Sequence, residues 1–264
     1  MKLLVFDLDG TLLEKDGTLS LETLQMLKKL EEKNVRSTVA TGRSLKSTSK
    51  FIEQLASKTP VILFNGARIF DPATGRYLYS EMLQDSLAQR VSHLCQRSDV
   101  SIFFFIDEDV YVLNLASHAA RYVYRDGLSY HLVENIDFLQ HKKVTKMVIT
   151  GPSFELTEIE NVLKFQHRIP ATITRSEDDL LEILPLNVNK AEALKRLCKF
   201  LSIDLKEVVA FGNGENDLEM IKVAGTGVTF NDAPDVVKKY AKVILHSCGH
   251  LGLQEFFERF FQKG

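Results

Sequence analysis

Tryptophan is absent from the 264 residues, and only three cysteines occur, Cys95, Cys198 and Cys248. Three scattered thiols cannot build a disulfide framework, and they lack the paired spacing of a closed zinc site. Proline (6) and glycine (14) are sparse, which excludes a collagen-like or Pro/Gly-rich disordered chain. Neither sign of charge dominates: 33 basic and 35 acidic residues leave a net charge of -2. That balance gives no electrostatic footprint for a nucleic-acid backbone, yet it allows a small anionic ligand, which needs only a few local donors. No apolar run is long enough to span a bilayer. The stretch Met1 to Leu8 has one lysine and a short apolar run that ends in acid, unlike a signal peptide. The expected compartment is the cytoplasm. Hydrophobic residues make up 45% and charged residues 26%, the composition of a globular chain with one large domain or two ordinary ones.

The first third alternates strands and helices. Lys2 to Leu8 is a nearly continuous apolar run, as expected of a strand buried on both faces. Ser20 is placed to cap a helix in which Leu21, Leu24, Leu27 and Leu30 approximate one face. Strands at 35–41 and 61–64 flank a helix at 44–57, and 67–80 reads as a hairpin. Such alternation implies right-handed crossovers and a mostly parallel sheet. The middle third mixes helices at 83–97, 116–125 and 153–166 with strands at 101–106, 110–114 and 144–150 and a pair around 176–179. This pattern predicts an antiparallel sheet covered on one face. After Pro185 the first pattern returns. The expectation is an α/β core formed by residues 1–80 and 186–264, split by an α+β insert at 81–185.

Open parallel sheets bind ligands beyond the carboxyl ends of their strands, so the polar residues there carry the functional information. The first strand ends in Asp7-Leu8-Asp9-Gly10-Thr11, and the second in Thr41-Gly42-Arg43. Asn189-Lys190 opens a later helix. The strand Val208 to Phe211 runs into Gly212-Asn213-Gly214-Glu215-Asn216-Asp217. Two aspartates at the end of a buried strand are costly unless they are paired or bound to a cation. Acids with amide oxygens suit Mg²⁺, a hard cation that prefers oxygen ligands. A threonine hydroxyl, backbone N–H groups and a lysine suit a phosphate dianion. A carboxylate beside both can act as a nucleophile, with its neighbour as acid and base. The chemistry suggested is phosphoryl transfer from an ester to Asp7 and then to water.

These four elements, in this order, resemble the motifs of the haloacid-dehalogenase-like (HAD) superfamily. Gly214 to Met220, Asn65-Gly66-Ala67, and Gly227-Val228 leading to Asn231 are similar to the Cof-like phosphatases within it. The resemblance covers essentially the whole chain. It implies a Rossmann-like, doubly wound, mostly parallel core with a large inserted cap that selects substrate. It also implies that Asp7 is the nucleophile and a Mg²⁺ ligand. Asp9 would be the general acid and base, with its main-chain carbonyl on the metal. Leu8, Thr41 and Gly42 would hold the phosphate, Arg43 would reach substrate or pair with a core acid, and Lys190 would neutralise the nucleophile and phosphoryl oxygens. Asn216 would donate to the phosphate, and Asp217 would coordinate the metal or orient its waters or Lys190. The chain departs from the pattern at Asn213, where many relatives carry a metal-binding aspartate. Asn213 would remain a ligand without charge, so weaker Mg²⁺ binding is expected.

The implied activity is a cytoplasmic, Mg²⁺-dependent phosphatase for small phosphorylated metabolites such as sugar phosphates or pyridoxal phosphate. No nucleic-acid or membrane partner is expected, and nothing in the sequence selects between a monomer and a homo-oligomer. A phosphomutase of the same superfamily is the rival enzyme. A slow phosphate-ligand-binding regulator is the rival of another kind, favoured by Asn213 alone. Other features read as structural. Lys146 is expected to be a solvated edge lysine, Phe103 to Phe105 a buried strand, and Cys248 with His250 a loop pair without a metal.

Overall fold

The computed structural model describes residues 1–261. The chain opens with β1 (Leu3–Phe6), α1 (Leu21–Glu32), β2 (Arg36–Val39), α2 (Leu45–Leu55), β3 (Val61–Leu63), β4 (Arg68–Asp71) and β5 (Arg76–Ser80). The middle contains α3 (Asp85–Cys95), β6 (Ser101–Ile106), β7 (Asp109–Leu113), α4 (Ala119–Asp126), β8 (Tyr130–Val133), β9 (Lys146–Thr150), α5 (Ser153–Asn161), β10 (Ala171–Glu177) and β11 (Leu180–Pro185). The chain then forms α6 (Lys190–Leu201), β12 (Val208–Phe211), α7 (Leu218–Val223), β13 (Thr226–Phe230), α8 (Asp235–Lys238), β14 (Val243–Leu245) and α9 (Gly249–Phe260). None of these helices is long and apolar enough to cross a membrane.

Two compact units result. The first comprises Met1–Gly42, Thr48–Tyr79 and Asn189–Gly264, and the second Arg43–Ser47 with Ser80–Val188. In the first, five parallel strands run in the order β14-β13-β12-β1-β2. The four residues of β1 are all buried, as a strand covered on both faces requires. Chain direction across the sheet reverses between β1 and β12, so the loops after these strands diverge and leave a crevice at their carboxyl ends. A smaller sheet, β3-β4-β5, stands beside it. Leu3, Val5, Ala40, Ile62, Leu194, Leu197 and Ala210 share one apolar core.

The leucine stripe of α1 is only half realised. Leu27 and Leu30 are buried with Thr23, whereas Leu21 is exposed. A repeat of three residues falls short of the helical turn of 3.6, so the stripe drifts around the helix, and the buried set follows i, i+4, i+7 instead.

The second unit is built on a six-stranded sheet, β10-β11-β9-β6-β7-β8. Its pairs are antiparallel except β7 with β8, which is parallel. β8 is a strand that residue patterning does not signal: Tyr130 to Val133 alternates little and is largely exposed at the sheet edge. Side chains alternate strictly on the inner strands. Ile102, Phe104, Met147, Ile149, Leu181 and Ile183 enter a core with Ala88, Val91, Leu156 and Ile159 of α3 and α5. Phe104 is fully buried there. Its replacement by alanine is expected to destabilise the protein by about 3–5 kcal/mol, read from the denaturation midpoint. The opposite face carries Phe103, Phe105, Lys146, Val148 and Glu182, which corrects one expectation. Lys146 is not an edge lysine: β9 lies between β11 and β6, and Lys146 is buried and paired with Glu182. Strand order is a long-range property that local patterning does not encode.

Candidate active site

The first unit gathers its polar residues at the carboxyl ends of β1, β2 and β12. The Asp7 amide donates to the Phe211 carbonyl at 2.9 Å, which continues the β1–β12 pairing one residue beyond the strands. The backbone then turns abruptly. Residues Leu8–Leu12 form a single wide turn in which Gly10 takes φ +68°. Amides of Leu12 and Leu13 close it onto the carbonyls of Asp7 (3.2 Å) and Leu8 (3.0 Å). Glycine at position 10 answers two demands. Its φ is strained for an L side chain, and a Cβ would lie 2.5 Å from Nδ2 of Asn213. The loop after β1 is therefore packed against the loop after β12, and the Thr11 hydroxyl donates to Asn213 Oδ1 at 3.0 Å.

Lys190 is the centre of the charge arrangement. Asn189 caps α6, its side chain accepting from the Glu192 amide at 2.9 Å, and this fixes the start of the helix. From there the Lys190 ammonium donates to Asp7 Oδ1 and to Asp217 Oδ1, both at 2.6 Å. The three groups are 1%, 7% and 0% exposed, respectively. Burial works against the lysine charge, but Asp217 and Asp7 outweigh it and hold the ammonium well above the ordinary lysine range. Asp7 responds oppositely. Burial pushes its carboxyl up to about 7 against the pull of Lys190, and repulsion from Asp217 and Asp9 adds to the rise.

Asp217 commits both oxygens. Oδ1 serves Lys190, while Oδ2 accepts from the amides of Asn213 (2.9 Å) and Gly214 (3.0 Å). It thus ties the loop after β12 to the lysine. Gly212 permits this, since a Cβ there would meet the Asp217 side chain at 2.4 Å.

Thr41 is buried at the end of β2, its amide donating to the Ile62 carbonyl at 2.9 Å. The Asn65 amide donates in turn to the Thr41 carbonyl at 2.9 Å, and the Asn65 side chain lies against Gly42. Asn216 Nδ2 donates to Asn65 Oδ1 at 3.2 Å, so the loops after β2, β3 and β12 are linked. Asn65 is a site neighbour to which sequence reasoning assigned no role. Its signal was the Asn-Gly pair after β3, with Asn65 at φ +51°. Arg43 follows Gly42 in sequence, is buried, and belongs to the compact set of the second unit.

The donor set bears on a cation. Asp7 and Asp217 share one buried ammonium, and Asp9 adds repulsion at Asp7, whose carboxyl is pushed up to about 7 first of all by burial. Lys190 takes Asp7 Oδ1 and leaves Oδ2 without a hydrogen bond among the described residues. Among those residues, no three His, Cys, Asp or Glu side chains are grouped to hold a metal. A hard cation beside Asp7 would therefore need amide or main-chain oxygens as well, and Asn213 and the Asp9 carbonyl are of that kind. The residues fit Mg²⁺ on these grounds.

The comparisons with known proteins agree with the fold. The chain is 32% identical over 233 residues to an HMP-PP phosphatase of Serratia proteamaculans, covering 88% of this chain and 84% of that one. It is 27% identical over 276 residues to the 5-amino-6-(5-phospho-D-ribitylamino)uracil phosphatase YitU of Bacillus subtilis, covering 98% and 97%. Among solved structures, a haloacid dehalogenase-like hydrolase from Bacteroides thetaiotaomicron superposes with a TM-score of 0.86 at 27% identity, covering 98% of this chain and 99% of that one. The model of the haloacid dehalogenase-like hydrolases matches residues 4–256, nearly the whole length over which the two-unit architecture and the four loops were traced, and the chain belongs to that family.

Proposed function

We propose that the protein is a Mg²⁺-dependent phosphatase of small phosphorylated metabolites that works through an aspartyl phosphate on Asp7. The observation that carries this reading is the buried Asp7–Lys190–Asp217 arrangement. A carboxylate meant only for stability gains little from burial at a strand end, whereas a nucleophile needs a fixed position and a nearby cation. Asp7 attacks phosphorus, and the bond to the leaving oxygen breaks as Asp9 gives that oxygen its proton. Asp9 then takes a proton from water as the water attacks, and the bond between phosphorus and Asp7 breaks. Lys190 offsets the negative charge gathering between Asp7 and the phosphoryl oxygens. The Leu8 amide, Thr41, Gly42 and Asn216 hold those oxygens, and Arg43 belongs to the substrate-binding set. Asp217, with both oxygens engaged, positions Lys190 and the loop after β12. Asp7, the Asp9 carbonyl and Asn213 would hold Mg²⁺. When bound, it lowers the repulsion between an anionic nucleophile and an anionic phosphate.

The second unit is read as the inserted cap. Two of the relatives named above are phosphatases of HMP-PP and of 5-amino-6-(5-phospho-D-ribitylamino)uracil, and sugar phosphates or pyridoxal phosphate are further candidates for this chain. The test is release of inorganic phosphate from a panel of such esters with and without Mg²⁺. Metal-dependent turnover supports the reading, and its absence on every ester in folded protein rejects it.

Asn213 gives this reading a test of its own. Asn213→Asp adds a charged oxygen beside the Thr11 hydroxyl, which can still donate to it. The variant is expected to bind Mg²⁺ about tenfold more tightly, measured by calorimetry in the absence of substrate. Unchanged affinity would remove Asn213 from the ligand set.

A further inference from the structure

The turn after β3 passes through three consecutive residues in the left-handed region, Phe64 at φ +51°, Asn65 at +51° and Gly66 at +105°. Glycine adopts that region freely and asparagine tolerates it, but a bulky phenylalanine is an outlier there. Such backbone persists only where its surroundings over-determine it, and it clusters at functional sites. Here both ends of the turn are held. The Phe64 side chain is fully buried, with the Arg68 guanidinium 5.6 Å from its ring centre. Gly66 is pressed against the chain that precedes Lys190, since a Cβ on it would lie 2.4 Å from the Asn189 carbonyl oxygen. Between these two fixed neighbours stands Asn65, itself buried.

Asn65 touches three of the residues assigned above to the phosphate. Its amide donates to the Thr41 carbonyl at 2.9 Å. Its carboxamide lies against Gly42, where a Cβ would come within 3.2 Å of both Oδ1 and Nδ2. Its Oδ1 accepts from Asn216 Nδ2 at 3.2 Å. The last contact has a chemical consequence, because a carboxamide offers a donor at one end and an acceptor at the other, and only the donor suits a phosphoryl oxygen. Asn65 Oδ1 takes one N–H of Asn216 and so fixes which end of that amide faces the loops after β2 and β3. The Asn216 oxygen is turned over Gly214 instead, where an added Cβ would lie 2.5 Å from it. A reversed Asn216 amide would set two carbonyl oxygens against each other. Stability does not account for the arrangement, since one hydrogen bond between neutral amides contributes little against the strain of the turn.

We infer that Asn65 is a positioning residue of the phosphate site, which acts by orienting the Asn216 carboxamide so that it donates to the phosphoryl oxygens. The inference rests on the phosphatase reading above. The phosphoryl group is common to every ester, so Asn65 governs all substrates alike and has no part in the choice of leaving group. A donor that serves the bound ester and the transition state equally appears in KM and in phosphate affinity, and little in kcat.

The test is calorimetric titration with inorganic phosphate under saturating Mg²⁺, beside turnover of a hexose phosphate and of para-nitrophenyl phosphate. Asn65→Gly suits the left-handed backbone and removes only the carboxamide side chain. It is expected to weaken phosphate binding about tenfold and to raise KM for both esters by the same factor, with kcat within about threefold. Its melting temperature should stay within a few degrees of the wild type, because glycine relieves strain while the hydrogen bond is lost. Asn65→Ala carries the test if the glycine variant does not fold. Asn216→Ala should weaken phosphate by a similar factor, and adding Asn65→Gly to it should cost less than about a further twofold. Phosphate affinity unchanged in folded Asn65 variants, losses that multiply in the double variant, or a KM rise confined to one ester would overturn the inference and leave the phosphatase intact. A wild type that hydrolyses no ester, yet binds phosphate and loses it on Asn65→Gly, would reject the phosphatase reading and sustain this one. A wild type that neither hydrolyses nor binds would remove both.

Discussion

Asp7→Asn is expected to abolish phosphate release, by about ten-thousandfold or more, in a protein that remains folded. The amide has almost the shape of the carboxylate, and its oxygen can still accept from Lys190, which sits at 2.6 Å in the native protein. What it lacks is the nucleophilic oxygen. Because Asp7 is buried at considerable electrostatic cost, the variant should melt within a few degrees of the wild type. Phosphate release under saturating Mg²⁺ and a thermal melt, done in parallel, check both halves. Substantial residual turnover in Asp7→Asn would mean that another group attacks phosphorus, and the aspartyl-phosphate mechanism would fall.

Lys190→Met should affect both stability and activity. It leaves the carboxylates of Asp7 and Asp217 buried without the cation that pairs them. Removing one partner of a buried ionic cluster typically costs about 3–5 kcal/mol, far more than the net worth of the intact cluster. The loss should appear as a lower denaturant midpoint and as loss of turnover at temperatures where the variant is still folded. Adding Asp217→Asn should recover about 1 kcal/mol or more, because it neutralises one of the two stranded charges. Activity should not return with stability, since the charge opposite the attacking carboxylate is still missing. A single variant as stable as the wild type would show that the cluster is compensated in some other way.

Much of the architecture was legible because it is local. Continuous apolar runs such as Leu3 to Phe6 and Val208 to Phe211 announce strands covered on both faces, and both are fully buried. Ser20 before Leu21 is a cap signal that needs no neighbours to be recognised, and it forms as expected, accepting from the Thr23 amide at 3.1 Å. Where the pattern is weak or ambiguous, it does not fix the element. The leucines of α1 suggested a face that the helical turn does not preserve, and β8 has no alternation by which to find it.

The site divides along the same line. Residue order and type were enough to nominate Asp7, Asp9, Thr41, Lys190 and the loop from Gly212 to Asp217, because a sheet of this class exposes its strand-end residues on one edge. The role open to each was not fixed by type. Asp217 could equally have faced a cation or the lysine; its Oδ2 closes the loop onto the amides of Asn213 and Gly214, and its Oδ1 accepts from Lys190. Lys146 is ambiguous in sequence for the same reason, since a lysine on a strand is solvated at an edge and desolvated in the middle.

By itself, then, the sequence determined the succession of strands and helices, the insertion of one unit into another, and which side chains could meet at the strand ends. Those properties depend on hydrophobic period, capping and turn chemistry within a few residues. Only the tertiary structure decided which oxygen Lys190 holds, that Asn65 bridges Gly42 and Asn216, and that Lys146 and Glu182 share a buried face. Each of these joins residues distant in sequence or on strands whose order the chain does not spell out. Their energies depend on burial and distance, which exist only once the chain has folded.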